Sequence, residues 1–202
     1  TGERATISFT DPMVNDTNNL LSGSLFYSFS GRSSMYYAPL DMITKGGSFR
    51  WGRRFKWPDD YFRGSWSFTA HQRIYEADND EQLQLYTGGL NETVGVSITQ
   101  SISRDSRDHP EFPTIGSLMA VSSSISGGPL GGNEDFHKHV LNLEWYTPTV
   151  WKFVLMSSVK IGGIKTLPSG DNERSMVPFN ERFIMGGSGM VYGNPLRGYE
   201  DN

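Results

Sequence analysis

The stretch Tyr61-Phe-Arg-Gly-Ser-Trp-Ser-Phe-Thr-Ala-His-Gln-Arg73 decides the fold. Phe62, Gly64, Trp66, Phe68 and Ala70 alternate with Arg63, Ser65, Ser67, Thr69, His71 and Arg73, and no helical period fits them. A period of two marks a strand with one apolar and one polar face, because successive Cβ atoms point to opposite sides of the pleat. The run is also long. Typical globular strands have about 5–6 residues, whereas a tilted strand needs about 9–11 to cross a bilayer.

The same pattern recurs on both sides of this stretch. Residues 5–10 read as a strand, and over 21–30 Leu21, Leu25, Tyr27 and Phe29 oppose mostly serine. Over 48–55, Phe49, Trp51 and Phe55 oppose Ser48, Arg50 and Arg54. Downstream, Val94, Val96, Ile98 and Ile102 oppose Thr93, Ser97, Thr99 and Ser101 over 93–103. Leu141, Leu143 and Trp145 oppose Lys138, Asn142 and Glu144 over 136–147. Trp151, Phe153, Leu155, Val159 and Ile161 oppose Lys152 and Lys160 over 151–161. The stretch 117–125 is weaker, with small residues on both faces. About eight strands result, with no helix among them.

The connections alternate in length. Compact turns fall near 11–19, 57–60, 108–116 and 147–150; longer loops fall near 31–44, 76–91, 126–135 and from 163 onward. Turns at one end and long loops at the other are the pattern of an up-and-down outer-membrane barrel. Trp57, Tyr61, Trp145, Tyr146 and Trp151 sit near the turn ends, where an interfacial aromatic girdle belongs. The fold expected is all-β: a transmembrane, up-and-down antiparallel β-barrel, unfinished in this chain. The opening Thr1-Gly-Glu-Arg and the close at Asn202 read as cuts within a longer protein, with one partial barrel domain across 1–202.

Composition agrees. The chain has 202 residues, 36% hydrophobic, with 13% aromatics and Gly 23. Mean hydropathy is -0.45, and no run approaches the roughly 20 apolar residues of a membrane helix. Barrel strands escape such a scan because their polarity averages out. The absence of cysteine excludes disulfides and thiolate metal sites, and the net charge of -4 argues against general nucleic-acid affinity.

Candidate chemistry is sparse. His137 and His139 share a strand face, but no third ligand at sensible spacing accompanies them, so metal binding is disfavoured. Asp59, Asp60, Asp78, Asp80, Glu134 and Asp135 fall in turns and loops, where acidic residues serve turn geometry rather than paired acid–base work. Arg50, Arg53, Arg54 and Lys56, interleaved with Trp51 and Trp57, superficially suit single-stranded nucleic acid. Alternation splits them between faces, which favours lumen lining or contact with anionic lipid. Arg104-Asp-Ser-Arg-Asp108 reads as a salt-bridged strand end. No Gly-x-Ser-x-Gly elbow, P-loop or His-Glu-x-x-His is present, so no enzyme activity, cofactor or metal is expected.

The closing stretch Glu181-Arg-Phe-Ile-Met-Gly-Gly-Ser-Gly-Met-Val-Tyr-Gly-Asn-Pro-Leu-Arg-Gly-Tyr199 is too apolar for a surface loop and too rich in glycine for a regular element. It reads as a loop that folds back and packs inside the barrel. Its Phe183-Ile-Met-Gly-Gly-Ser-Gly and Leu196-Arg-Gly-Tyr199 resemble the sixth extracellular loop of the BamA superfamily, which also holds TamA-type and two-partner-secretion barrels. Ile7-Ser-Phe-Thr-Asp-Pro12 is similar to that family's Ser-Phe-Thr-Glu-Pro strand end. Asp105-Ser-Arg-Asp-His-Pro-Glu-Phe-Pro-Thr-Ile-Gly116 is similar to its Asp-x-Arg-Asp-x-Pro-x-Phe-Pro-x-x-Gly turn. The extra Met190-Val-Tyr-Gly-Asn-Pro195 between Gly187 and Arg197 looks like the Bacteroidetes-type loop.

The resemblance implies about half of a roughly sixteen-stranded barrel, strands three to ten plus the sixth loop. POTRA domains and the remaining strands would lie outside this chain. It implies a Gram-negative outer-membrane protein that folds and inserts barrel proteins without ATP. Its partners would be unfolded outer-membrane clients, accessory lipoproteins of the assembly complex and outer-membrane lipids, with no nucleic acid. The functional motif would be Leu196, Arg197, Gly198 and Tyr199, supported by Phe183, Gly186, Gly187 and Gly189, within a lumen-inserting loop over 162–202. Arg197 would reach an acidic group on the inner wall, expected on later strands, with Glu144 a local alternative. A TamA-type or two-partner-secretion translocase, a passive porin or receptor barrel, and a soluble carbohydrate-binding β-protein are the other readings.

Overall fold

The computed structural model describes residues 2–14, 17–32, 40–167, 177–178, 181–185 and 193–194. One antiparallel sheet holds eight strands in chain order. They are β1 (Gly2–Asp11), β2 (Asn19–Ser30), β3 (Asp41–Arg54), β4 (Phe62–Glu76), β5 (Glu92–Asp105), β6 (Gly116–Ser126), β7 (Phe136–Pro148) and β8 (Val154–Thr166). Each pairs only with its chain neighbours, so the sheet is a simple meander. With 10 to 15 residues, every strand is long enough to cross a bilayer at a tilt.

The register carries alternation across the whole sheet. Phe49, Phe68, Ile98 and Ile125 lie side by side through β3 to β6. Val121, Leu141 and Ile161 do the same through β6 to β8. Ile7 and Phe9 are 79% and 71% exposed on this apolar face, far more than a water-facing surface tolerates in a continuous band. The opposite face is a ladder of hydroxyls: Thr10–Ser22, Ser24–Ser48, Thr99–Ser124 and Ser101–Ser122 pair at 2.8–3.2 Å. Paired hydroxyls satisfy one another and leave lone pairs for water, which suits a wet wall.

The strands run further than the alternation alone predicts. β3 begins at Asp41, inside the expected 31–44 loop, because Gly46 and Gly47 interrupt the pattern without interrupting the pairing. A Cβ at Gly46 would lie 2.4 Å from the Ala70 carbonyl oxygen, so only glycine permits this approach of β3 to β4. The expectation of an entirely helix-free chain is corrected at α1 (Asp80–Thr87). Asn79 caps it by accepting from the Gln82 amide at 2.9 Å, Asp80 and Glu81 occupy its first turn, and Gly88 closes it at φ 66°. With only 8 residues and a weakly apolar face, it leaves no clear helical period in the sequence. Leu83 and Tyr86 of α1 pack with Met42 and Ala77 against buried Leu40 and Tyr75. Arg32 ties the neighbouring loops together, bonding Asp41 at 3.1 Å and Asp78.

At the turn end, Asp105, Arg107, Asp108 and Thr114 of the 105–116 motif each have a defined task. Arg107 clamps Asp105 through two bonds of 2.9 Å, and Arg104 bonds Asp59 at 2.8 Å, which makes this a salt-bridged strand end. Asp108 accepts from the Thr114 amide, the Thr114 hydroxyl and the Ile115 amide at 2.8, 2.5 and 3.2 Å. Gly116 closes the turn at φ 115°, and a Cβ there would meet the Ser106 carbonyl oxygen at 2.3 Å. Trp57 in the β3–β4 turn and Trp151 in the β7–β8 turn are 84% and 80% exposed, with Tyr61 and Trp145 also exposed. Tyr146 departs from the expected girdle. It lies on the polar face and bonds Glu144 at 3.0 Å, since it follows the outward Trp145 by one residue.

Candidate functional site at the base of the long loop

Three strands bring polar side chains to one region of the hydroxyl face, near the long loops. β4 supplies His71 and Arg73, β5 supplies Thr93, and β7 supplies Lys138. The loop between β6 and β7 supplies a carboxylate. β6 stops pairing with β5 at Ser97, and the following residues take over the exposed edge. Gly127 N–H donates to the Val96 carbonyl at 2.9 Å, Asn133 N–H to the Val94 carbonyl at 2.9 Å, and the Asn133 side chain accepts from Val94 N–H at 2.7 Å. Gly132 bridges Gly95 at φ 95°, where a Cβ would strike the Val94 carbonyl oxygen. This path folds Glu134 over the polar face.

Glu134 is 1% exposed and fully engaged. Its oxygens accept from Arg73 Nη1 at 2.6 and 2.7 Å and from the Thr93 hydroxyl at 2.7 Å, and His71 Nε2 lies 3.0 Å away. Gly95 makes room: a Cβ there would lie 2.4 Å from the His71 ring and 2.5 Å from Glu134. Burial pushes the Glu134 carboxyl up, but His71, Arg73 and Thr93 outweigh it and hold it at about 2. A buried carboxylate is tolerable only with such a full set of donors.

The long loop meets this cluster. Pro178 is buried and lines a small cavity together with Tyr75, Tyr86, Thr93 and Glu134. Lys138 Nζ bonds the Glu181 carbonyl at 2.9 Å and its carboxylate at 3.2 Å, while Arg73 Nη2 stands 3.6 Å from the other carboxylate oxygen. Arg73 thus lies between Glu134 and Glu181 and links the β6–β7 loop to the long one. Phe183 sits under Lys138, whose ammonium is 5.1 Å from the ring centre, and against Gly162 of β8. Beyond it, β9 (Ile184–Met185) pairs in parallel with β10 (Gly193–Asn194).

Of the residues singled out in the sequence, Phe183 lies in this site. Gly186, Gly187, Gly189, Leu196, Arg197, Gly198 and Tyr199 fall outside the described residues. Glu144 already has partners: Asn142 and Tyr146 each donate at 3.0 Å, and Arg107 approaches to 4.0 Å. His137 and His139 do share a face, with ring nitrogens 3.1 Å apart and Ser123 at 3.0 Å from His139. No group of three metal-ligating side chains occurs among the described residues. Sequence reasoning missed the role of Glu134, which it treated as a turn residue. The available signal was the pairing of His71 and Arg73 on the polar side of the opening stretch, an imidazole beside a guanidinium whose charge needs a carboxylate.

The Omp85 superfamily domain model matches residues 2–202. The outer membrane protein assembly factor BamA of Nitratidesulfovibrio vulgaris is 28% identical over 188 residues, covering 92% of this chain and 22% of that protein. The crystal structure of BamA from Haemophilus ducreyi lacking POTRA domains 1-3 superposes with a TM-score of 0.75 at 16% identity, covering 93% of this chain and 37% of that one. The chain therefore spans well under half the length of these relatives. Its eight-stranded sheet is a wall of the BamA-type barrel, with the apolar face toward lipid and the hydroxyl face toward the lumen. The chain belongs to the Omp85 superfamily of Gram-negative outer-membrane proteins.

Proposed function

We propose that this chain is part of an assembly factor that folds and inserts β-barrel proteins into the outer membrane, drawing no energy from ATP. The observation that carries the reading is the match to a BamA over 92% of the chain. The seating of Pro178, Glu181 and Phe183 on the lumen face supports the loop component of it. In this reading the loop that follows β8, beginning after Thr166 rather than at the expected 162, enters the lumen, Glu181 and Phe183 hold its base, and Arg197 fixes its tip on an acidic group of the wall. A guanidinium in a confined lumen gains most from a bidentate carboxylate, which sets orientation as well as affinity. Clients would be unfolded outer-membrane proteins, with accessory lipoproteins of the assembly complex as partners.

The test is reconstitution of the full-length protein in liposomes with a urea-denatured client barrel and no nucleotide. Folding is read from the heat-dependent gel mobility of the client. Faster client folding than in empty liposomes is expected. Equal rates in the two preparations overturn the reading.

A further inference from the structure

The turn end of the lumen face carries a second, separate cluster. Arg54 of β3 and Arg63 of β4 are direct cross-strand partners. Arg50 lies on the same face of β3, two same-face positions from Arg54 with Gly52 between them, and opposite Ser67. Ser65, Ser101 and Ser103 continue the surface, and Asn18 borders it from the β1–β2 turn, around a concavity of about 370 Å³. An adjoining concavity adds Lys56 and Trp57.

This arrangement is electrostatically unfavourable as it stands. Like charges directly opposed on neighbouring strands destabilise a sheet. Among the described residues, no carboxylate lies within salt-bridge distance of Arg50, Arg54 or Arg63. Arg54 finds only the Asp60 carbonyl, at 2.9 Å. Asp105, which feels the field of Arg63, is already clamped by Arg107. Hydroxyls rather than acids fill the gaps between the guanidiniums. The contrast with the loop end is direct, since there Arg73 and Lys138 are both matched to carboxylates.

We propose that this arginine cluster is a docking site for acidic side chains of an extended polypeptide at the turn-end mouth of the lumen. The proposal rests on the assembly reading for the source of that polypeptide. Carboxylates bind guanidinium bidentately, and the serines offer further donors at their edges. The orientation disfavours a lipid headgroup, because alternation turns Arg50, Arg54 and Arg63 away from the apolar face. The spacing also suits a strand-like ligand, whose same-face side chains repeat every second residue.

The experiment uses the full-length protein in nanodiscs of zwitterionic lipid at low salt. Two labelled peptides are titrated by fluorescence anisotropy: one of alternating Glu and Thr, the other with every Glu replaced by Gln. Tighter binding of the Glu peptide is expected, as is a loss of about three- to tenfold in the Arg50→Gln/Arg63→Gln double variant. The Arg50→Lys/Arg63→Lys variant should bind between the native protein and the Gln variant, since it keeps the charge and loses the bidentate fork, which separates charge from folding. Lys45→Gln, on the apolar face near the loop end, should change nothing. Equal binding of both peptides, or full retention by the Gln double variant, overturns the proposal. So does a dependence on these arginines that appears only in nanodiscs containing anionic lipid, which would assign the cluster to a headgroup. Peptide binding without client folding in liposomes would sink the assembly reading and leave the site standing.

Discussion

The ring of Phe183 occupies the space that a side chain at Gly162 would need: a Cβ there would lie 2.6 Å from the Phe183 Cζ. The base of the long loop is therefore seated in a notch that β8 leaves open by having glycine on its lumen face. Gly162→Val should unseat Phe183, since overpacking of this kind costs ~1–3 kcal/mol. In the full-length protein, tryptic cleavage after the exposed Arg182 should accelerate by about tenfold or more, with the heat-modifiable barrel intact. Adding Phe183→Leu should restore part of the protection. Unchanged cleavage in Gly162→Val would show that the notch does not hold the loop.

Glu134 should be among the most sensitive positions for barrel stability. Glu134→Ala leaves buried Arg73 with only the more distant Glu181 carboxylate, at 3.6 Å, and breaking a buried pair in this way costs up to about 3–5 kcal/mol. Glu134→Gln keeps an acceptor for one donor and should cost less. The same residue predicts a pH dependence. Its carboxyl is held at about 2 in the folded state against an ordinary 4.5, so its stabilisation is complete above the ordinary value and fades as the pH falls toward the lower one. The midpoint of heat-dependent gel migration should fall across that window in the native protein and fall less in Glu134→Gln. Parallel behaviour of the two proteins would place the acid sensitivity elsewhere.

Phe62 to Ala70 announce the wall of the barrel because lipid and lumen impose opposite demands on alternate residues, and that demand is written directly in side-chain polarity. The turn over 105–116 is legible for a similar reason: its Asp, Arg and Gly each meet a local geometric requirement. The Glu134 cluster is not. Its members come from β4, β5 and a loop 61 residues away from Arg73, and nothing in the periodicity of any one segment reveals that they converge. Tyr146 lies on the lumen side although its neighbour Trp145 faces out, because proximity to a turn does not specify a face, whereas a one-residue step does. The helix α1 escaped because its capping residues, Asn79 and Gly88, frame too short a segment for a period to register.

Asp108 should be the critical carboxylate of the β5–β6 turn. The Thr114 hydroxyl, then the Thr114 and Ile115 amides, hold its carboxyl well below the usual carboxylate range. A depressed folded-state value means that its contribution is present above the ordinary range and lost only in strong acid. Asp108→Ala should therefore loosen the turn at neutral pH, read as faster amide exchange at Thr114 and Ile115. Asp108→Asn, which retains a single acceptor, should fall between the two. Exchange unchanged in Asp108→Ala would mean that Gly116 and the strand ladder alone define the turn.

The base contacts and Arg197 make separable predictions about the long loop. Glu181, Lys138 and Arg73 fix its entry on the wall, whereas Arg197 is proposed to fix its tip, beyond the described residues. Arg197→Ala should then leave tryptic cleavage after Arg182 slow while speeding chymotryptic cleavage at Tyr192 and Tyr199. A charge-assisted bond of ~1.5–3 kcal/mol corresponds to roughly ten- to hundredfold more opening of the tip. Client folding in liposomes should fall severalfold. Glu181→Gln should show the reverse proteolytic pattern, since the base would open first. If Arg197→Ala alters neither tip cleavage nor client folding, the tip has no guanidinium anchor, and the contacts of Glu181 and Phe183 alone keep the loop in the lumen.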